Sequence, residues 1–301
     1  MSVAYVLSGG GSLGAVQVGM LLALVERGIK PELLIGSSVG ALNAAWVAAR
    51  PDLEGVRQLA QVWRGIRRQD VFPFSLHTRL LGLAGARDYL ISSANLRNLI
   101  EDHLSFGRLE DAPTPLIIIA TEVLTGHEVV LDRGPAAQAV LASAAIPGVF
   151  PPVVVGSRLL MDGGVSNNTP ISQAVQAGAT TIYVLPTGYA CALTRPPHGA
   201  LGAALHAINL AIQQRLLLDV ARYQDCVDLR VLPSPCPHTV SPIDFSRTAA
   251  LIDQSHAESA AWLDSGWRGS DQTRFLRAHQ HAAASLRGAG NPAANESTSR
   301  V

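Results

Sequence analysis

The stretch from Ala4 to Ala49 constrains the fold more than any other part of the chain. Ala4-Tyr5-Val6-Leu7 is a short apolar run that stops at glycines, the pattern of a buried strand. After Gly14, the residues Val16, Met20, Leu21, Leu24 and Val25 recur at helical spacing, and Gly28 supplies a stop. Leu33-Leu34-Ile35 predicts a second buried strand. Gly36 and Ser38 follow it at once, and Ala41 to Val47 read as a second helix. Strand, glycine turn, helix, strand, serine turn, helix is a βαβα unit. Strands joined in this way lie parallel with a right-handed crossover. A mostly parallel central sheet with helices on both faces is therefore expected, a three-layer α/β/α sandwich.

The two turns carry the chemistry. Gly36-Ser37-Ser38-Val39-Gly40 has the form G-x-S-x-G. At a tight strand-to-helix turn the serine Oγ stands clear of the sheet, and the glycines leave room that a Cβ would fill. The helix N-terminus beneath Ser38 favours developing negative charge. Gly9-Gly10-Gly11-Ser12-Leu13-Gly14 opens the first helix with bare backbone N–H groups at the carboxyl end of the neighbouring strand. Such groups can hold an oxyanion. The same run also fits a dinucleotide fingerprint, which calls for an acidic residue at the end of the next strand, about 20 residues on. That strand ends in Gly36-Ser37-Ser38, with Glu32 before it, which disfavours the nucleotide reading.

A nucleophilic serine needs a base. Nine histidines are present. His127 sits in a hairpin-like Thr125-Gly126-His127-Glu128. His77 and His103 fall in loop or helical contexts, and His279 and His281 near a polar terminus. None has a context that marks it as a triad member. Met161-Asp162-Gly163-Gly164-Val165 offers a carboxylate instead, at a strand end on a tight turn. Taken alone it also reads as an ordinary Asp-Gly turn.

Together these segments resemble the patatin-like phospholipase family. The resemblance rests on Gly9 to Gly14 with Gln17-Val18-Gly19-Met20-Leu21 after it, and on Gly36 to Ala44. It also rests on Ala142-Ser143-Ala144-Ala145-Ile146-Pro147-Gly148-Val149-Phe150-Pro151-Pro152, and on Asp162-Gly163-Gly164 followed by Asn168-Thr169-Pro170. It covers about residues 4–190. It implies a lipid acyl hydrolase of the phospholipase A or lysophospholipase type that works through a Ser-Asp dyad and an acyl-enzyme. Ser38 would be the nucleophile and Asp162 the base. The backbone of Gly9, Gly10, Gly11 and Ser12 would form the oxyanion hole. Gly14, Gly36, Gly40, Gly163 and Gly164 would support the turns. Such a mechanism requires no metal and no other cofactor. The expected partner is a lipid or acyl-ester substrate, with transient contact at a membrane surface. Many family members carry Arg or Lys where this chain has Leu13, so an anionic head group loses a partner here. Two other readings stay open: a serine esterase with a histidine base on a soluble ester, and a non-catalytic lipid-binding or regulatory protein.

Composition bounds the rest. Apolar residues make up 48% of the 301, enough for a sizeable core. Basic and acidic residues balance at 23 each, which argues against nucleic acid as a partner. Cys191, Cys226 and Cys236 form no disulfide framework or metal spacing, which suggests a reducing compartment. No basic segment followed by an apolar one opens the sequence, and no run reaches 18 apolar residues. A cytoplasmic protein, peripheral at the membrane, is expected.

Further helices are expected over 52–68, 95–104, 134–145, 170–177, 201–223 and 245–263. Strands are expected over 116–123, 129–131, 158–160, 180–185 and 227–232. Residues 191–285 would form a helical extension packed on the catalytic domain. Residues 71–91 mix Phe72, Phe74, Leu76, Leu80, Leu81 and Leu83 with Pro73, Gly82 and Gly85. They read either as an apolar cap over the site or as a loop packed on the sheet. The Gly-, Ala-, Asn- and Ser-rich tail 286–301 is expected to be disordered.

Overall fold

The computed structural model describes residues 2–73, 89–188, 199–236, 240–266 and Leu276. Most of the expected apolar cap, Cys191 and the tail lie outside them.

The first strand, β1 (Val3–Leu7), is followed by a 3-10 turn over Gly11–Leu13 and by α1 (Gly14–Glu26). β2 (Leu33–Ser37) leads through Ser38 into α2 (Val39–Ala49), then α3 (Leu53–Gly65) and α4 (Arg68–Val71). α5 (Ala94–His103) precedes β3 (Leu116–Glu122), β4 (Glu128–Leu131) and α6 (Ala136–Ser143). β5 (Val153–Val155) and β6 (Arg158–Asp162) run into the short α7 (Gly164–Asn167) and α8 (Ile171–Gln176). β7 (Thr181–Leu185), α9 (Gly199–Tyr223), β8 (Asp228–Val231) and α10 (Thr248–Asp264) complete the order.

The sheet runs β5-β6-β3-β2-β1-β7-β8, with β4 paired to β3. β3, β2, β1, β7 and β8 are mutually parallel, whereas β4, β5 and β6 pair antiparallel. Successive strand residues point to opposite faces. Tyr5 and Leu7 therefore enter one apolar core and Ala4 and Val6 another. The first core lies under α1, α2, α3, α5, α6 and α10. The second lies under α8 and α9, with Ile171, Ala174, Leu216 and Val220 as its helical side. Helices on both faces agree with the expected three-layer α/β/α architecture.

One detail of register positions the site. Ala120 of β3 faces Val129 of β4 and Asp162 of β6, and Ile118 faces Leu131 and Gly36. β2 and β6 thus share one edge of β3, end to end. Ser37 pairs with Ile119 and Asp162 with Ala120. The last residue of β6 therefore abuts the last residue of β2, although they are far apart in sequence.

Candidate active site

Ser38 sits where β2 stops and α2 begins, at φ 54° and ψ −126°. Among the described residues it is the only non-glycine with positive φ. Such a conformation costs about 1–3 kcal/mol and persists only when its surroundings hold it. Here they do. A Cβ on Gly40 would collide with the Leu7 carbonyl, and one on Gly36 with the backbone of Gly40 and Ala41. Both glycines are required by close approach. The Ser38 N–H donates to Ser143 Oγ at 2.8 Å, and that hydroxyl donates in turn to the Ile119 carbonyl. Ser143 thus ties the turn to β3.

A serine at a helix N-cap ordinarily turns its hydroxyl onto the first-turn N–H groups. Ser38 does not. Its Oγ donates to Asp162 Oδ2 at 2.6 Å. Asp162 Oδ1 accepts from the Gly164 N–H at 2.7 Å, and the Asp162 backbone is fixed by Ala145 O and Thr121 Oγ1. Ser38 is 7% and Asp162 6% exposed. Burial pushes the Asp162 carboxyl up and the hydrogen bonds from Ser38 and Gly164 offset part of that rise, which leaves it at about 6 against the usual 3.8. The group is ionised near neutral pH yet basic enough to receive a proton.

The glycine loop lies beside this pair, and its amides divide in two. Gly9 N–H donates to Asn168 O at 3.1 Å, and Ser12 N–H to Pro242 O at 2.7 Å. Of the four amides expected to serve an oxyanion, those two are engaged elsewhere. The Gly10 and Gly11 N–H groups have no hydrogen-bond partner among the described residues. Gly11 has φ +60°, and a Cβ there would strike the Pro242 carbonyl, so only glycine fits. Gly14 packs under Val39 and Trp63. Gly163 lies against Ile119 and Ser37, and Gly164 against Asn168 and Asp162. Leu13 is half-buried against the core, so the loop presents no cation at that position.

Ser38 and Gly11 stand at one end of an apolar cavity of about 870 Å³, including the solvent at its mouth. One face of α2 forms a wall through Val39, Leu42 and Trp46, with Trp63, Phe150 and Phe245 opposite. Ser38 to Trp46 spans roughly 12 Å of helix rise. Phe72 also lines the cavity and stacks on Phe150 at 5.5 Å.

Histidines take no part in the Ser38–Asp162 contact among the described residues. His127 is exposed on the β3–β4 turn. His103 lines the far part of the cavity, where its ring lies 5.6 Å from Trp46 and its Nδ1 bonds Leu99 O. His256 bonds Glu26 on the outer helices. His77, His279 and His281 lie outside the described residues. No group of acidic, histidine and cysteine side chains suited to a metal occurs among the described residues.

Sequence reasoning missed three contributors. Ser143 and Asn168 lay within the quoted segments but had no role assigned. Pro242, from the segment before α10, had no local signal at all.

A strained serine turn, a buried carboxylate in contact with it and an apolar cavity, all on an α/β/α scaffold, define the class of protein. The chain belongs to the patatin-like phospholipase family, whose model matches residues 5–175, more than half of the sequence. "Patatin-like phospholipase domain-containing protein 7" of Rattus norvegicus is 30% identical over 189 residues, which cover 62% of this chain and 14% of that protein. An "Uncharacterized NTE family protein" of Mycobacterium bovis is 31% identical over 171 residues, 56% of this chain and 44% of that one. The chain thus spans less than half the length of these relatives. Among solved structures, VipD from Legionella pneumophila overlays with a TM-score of 0.49 at 15% identity, covering 88% of this chain and 67% of that one.

Proposed function

We propose that this chain hydrolyses lipid acyl esters through a Ser38–Asp162 dyad. As a carbonyl carbon meets Ser38 Oγ, the serine proton passes to Asp162 Oδ2 and a tetrahedral oxyanion forms. The free N–H groups of Gly10 and Gly11 receive that oxyanion. Its collapse breaks the ester bond, and the leaving alcohol takes the proton from Asp162. A water molecule then gives its proton to Asp162 and attacks the acyl-serine. The second tetrahedral species releases the acid and returns the proton to Ser38.

The observation that carries this reading is the 2.6 Å contact between Ser38 Oγ and a buried carboxyl whose pKa is raised to about 6, at the head of an apolar cavity. Membership of the family supports lipid as the substrate class. The lack of a cation at Leu13 favours uncharged acyl esters over anionic head groups. Val165 and Ile243 expose apolar side chains close in sequence to Gly164 and Pro242, which suits transient contact with a lipid surface.

The test is labelling with a fluorophosphonate and hydrolysis of a short p-nitrophenyl ester. Wild-type protein should label at Ser38, Ser38→Ala should not, and both Ser38→Ala and Asp162→Asn should lose hydrolysis. An unreactive Ser38 in folded wild-type protein would favour the non-catalytic lipid-binding reading. Full activity in Asp162→Asn would sink the dyad.

A further inference from the structure

An oxyanion donor must be aimed as well as present. The amide that serves is set by the peptide plane it belongs to, and a trans peptide points its C=O and its following N–H in opposite directions. The Gly10 N–H is therefore aimed by whatever holds the Gly9 carbonyl. The Gly9 carbonyl accepts from Thr187 Oγ1 at 2.7 Å and from Asn168 Nδ2 only at 3.5 Å, so Thr187 is the strong tie. Thr187 lies just past the end of β7, well beyond the 5–175 segment matched by the family model.

Side chains pack on both sides of that peptide. A Cβ on Gly10 would overlap the Thr187 side chain, so Thr187 packs directly on the Gly10 Cα. A Cβ on Gly9 would instead strike the Asn168 side chain and lie 3.0 Å from Ser38 Cβ. Thr187 is thus on one side of the loop and Ser38 on the other. Thr187 is itself fixed, since its N–H donates to Ser8 Oγ at 3.2 Å and Ser8 Oγ donates to Leu185 O. The buried Gln17 amide donates to Ser8 O at 2.7 Å and to Leu185 O at 2.9 Å. Thr187 is 7% exposed and the bond is shielded from water, so it is not readily exchanged for one to solvent.

We propose that Thr187 is a positioning residue for ester hydrolysis: its hydroxyl holds the Gly9 carbonyl turned from Ser38 and so presents the Gly10 N–H to the reacting oxygen. The inference rests on the Ser38 acyl-transfer reading. Without the hydroxyl only the long contact from Asn168 Nδ2 still reaches that carbonyl, the Gly9–Gly10 peptide can turn, and a carbonyl oxygen in place of the N–H would repel the oxyanion.

Thr187→Val keeps the shape and removes the donor, while Thr187→Ser keeps the donor. On a short p-nitrophenyl ester, Thr187→Val should lower kcat about 100-fold with KM within threefold, the range for loss of one oxyanion donor. Thr187→Ser should recover most of that loss. A trifluoromethyl ketone, whose adduct with Ser38 carries the same oxyanion, should bind Thr187→Val weaker by the same factor as kcat/KM falls. A purely structural role would instead lower thermal stability and leave those ratios unchanged. Should Thr187→Val fail to fold, Thr187→Ala carries the same expectation. An active wild type with Thr187→Val within twofold of its kcat overturns the role of Thr187 and leaves the dyad standing. A wild type inert to ester and fluorophosphonate alike overturns both.

Discussion

The two turns that build the site are held differently. The Ser38 turn closes on its own glycines, Gly36 letting β2 meet α2 and Gly40 letting α2 approach β1, with Ser143 as a tie to its backbone, and the strain stays at one residue. The Gly9–Ser12 loop is held from far away in the chain. Asn168 and Thr187 take Gly9, and Ser241 and Pro242 take Ser12. The first arrangement puts the Ser38 hydroxyl at a fixed point. The second decides which loop amides are left without a carbonyl partner among the described residues. A turn shaped by its own glycines needs one distant tie to its backbone, from Ser143, whereas the loop is closed by four distant residues and depends on more of the fold.

The largest expected effects fall on the pair at the first turn. Ser38→Ala and Asp162→Asn should each lower kcat by about 10⁴-fold or more. Their stabilities should diverge. Asp162 has a folded pKa of about 6 against 3.8 unfolded, so below about pH 4, where the carboxyl is protonated in both states, its burial carries no charge penalty. The penalty grows as pH rises from about 4 to 6 and levels off above that. Its plateau is roughly 3 kcal/mol, the free-energy equivalent of moving the carboxyl from 3.8 to about 6. Asp162→Asn removes it while keeping an acceptor for Gly164 and a contact to Ser38. Chemical denaturation should therefore find Asp162→Asn more stable than wild type at pH 8 and no more stable at pH 4. No gain at pH 8 would mean that the carboxylate is not strained in the folded state.

The same group sets the next effect in size. Asp162 must be ionised to accept the Ser38 proton, so kcat/KM should fall tenfold per pH unit below about 6. A histidine base would give a similar limb, since an ordinary imidazole titrates near 6.5. His103→Gln separates the two. The limb and the rate should survive it, because His103 lines the cavity away from the Ser38–Asp162 contact. Loss comparable to Ser38→Ala would restore the histidine reading.

Leu42→Trp tests the cavity that the first turn feeds. Leu42 is one turn of α2 beyond Ser38 on the cavity wall. Added bulk there should shorten the accessible length to roughly one helical turn, about 5 Å. Hydrolysis of long-chain p-nitrophenyl esters should drop about tenfold, the equivalent of about 1.4 kcal/mol or roughly two methylenes of lost burial. The shortest esters should be nearly unaffected. Equal loss on all chain lengths would place the acyl chain elsewhere.

The contrast between the turns also explains what was legible in the sequence. The βαβα start and the elements Ser38 and Asp162 belong to were readable, because each is a local pattern of apolar spacing ended by glycine. The expected helices at 134–145 and 245–263 appear as 136–143 and 248–264, so only boundaries moved, as they do where ends fray. Ser92 or Ser93 reads as a cap for α5; Ser92 Oγ accepts from the Ala94 N–H, and Ser93 makes no capping bond. That Ser38 and Asp162 meet was not readable from spacing. It follows from β2 and β6 sharing one edge of β3, a fact of register. Nor could the sequence sort the loop amides, since Gly9 and Ser12 lose theirs to carbonyls of Asn168 and Pro242.

The smallest expected effect separates the two ends of that loop. Ser12 Oγ donates to Ser241 O at 3.1 Å, next to the bond from Ser12 N–H to Pro242 O. Ser12→Ala deletes the first and keeps the second. It removes one part-buried neutral hydrogen bond, worth about 1 kcal/mol at most. If, as proposed, the Gly10 N–H is aimed from the Gly9 end through the carbonyl that Thr187 holds, this loss should not turn it. Ser12→Ala should therefore lower thermal stability slightly and leave kcat within threefold of wild type. If kcat instead falls as far as in Thr187→Val, the loop answers as one rigid unit, and the Ser12 end aims the donors as much as the Gly9 end does.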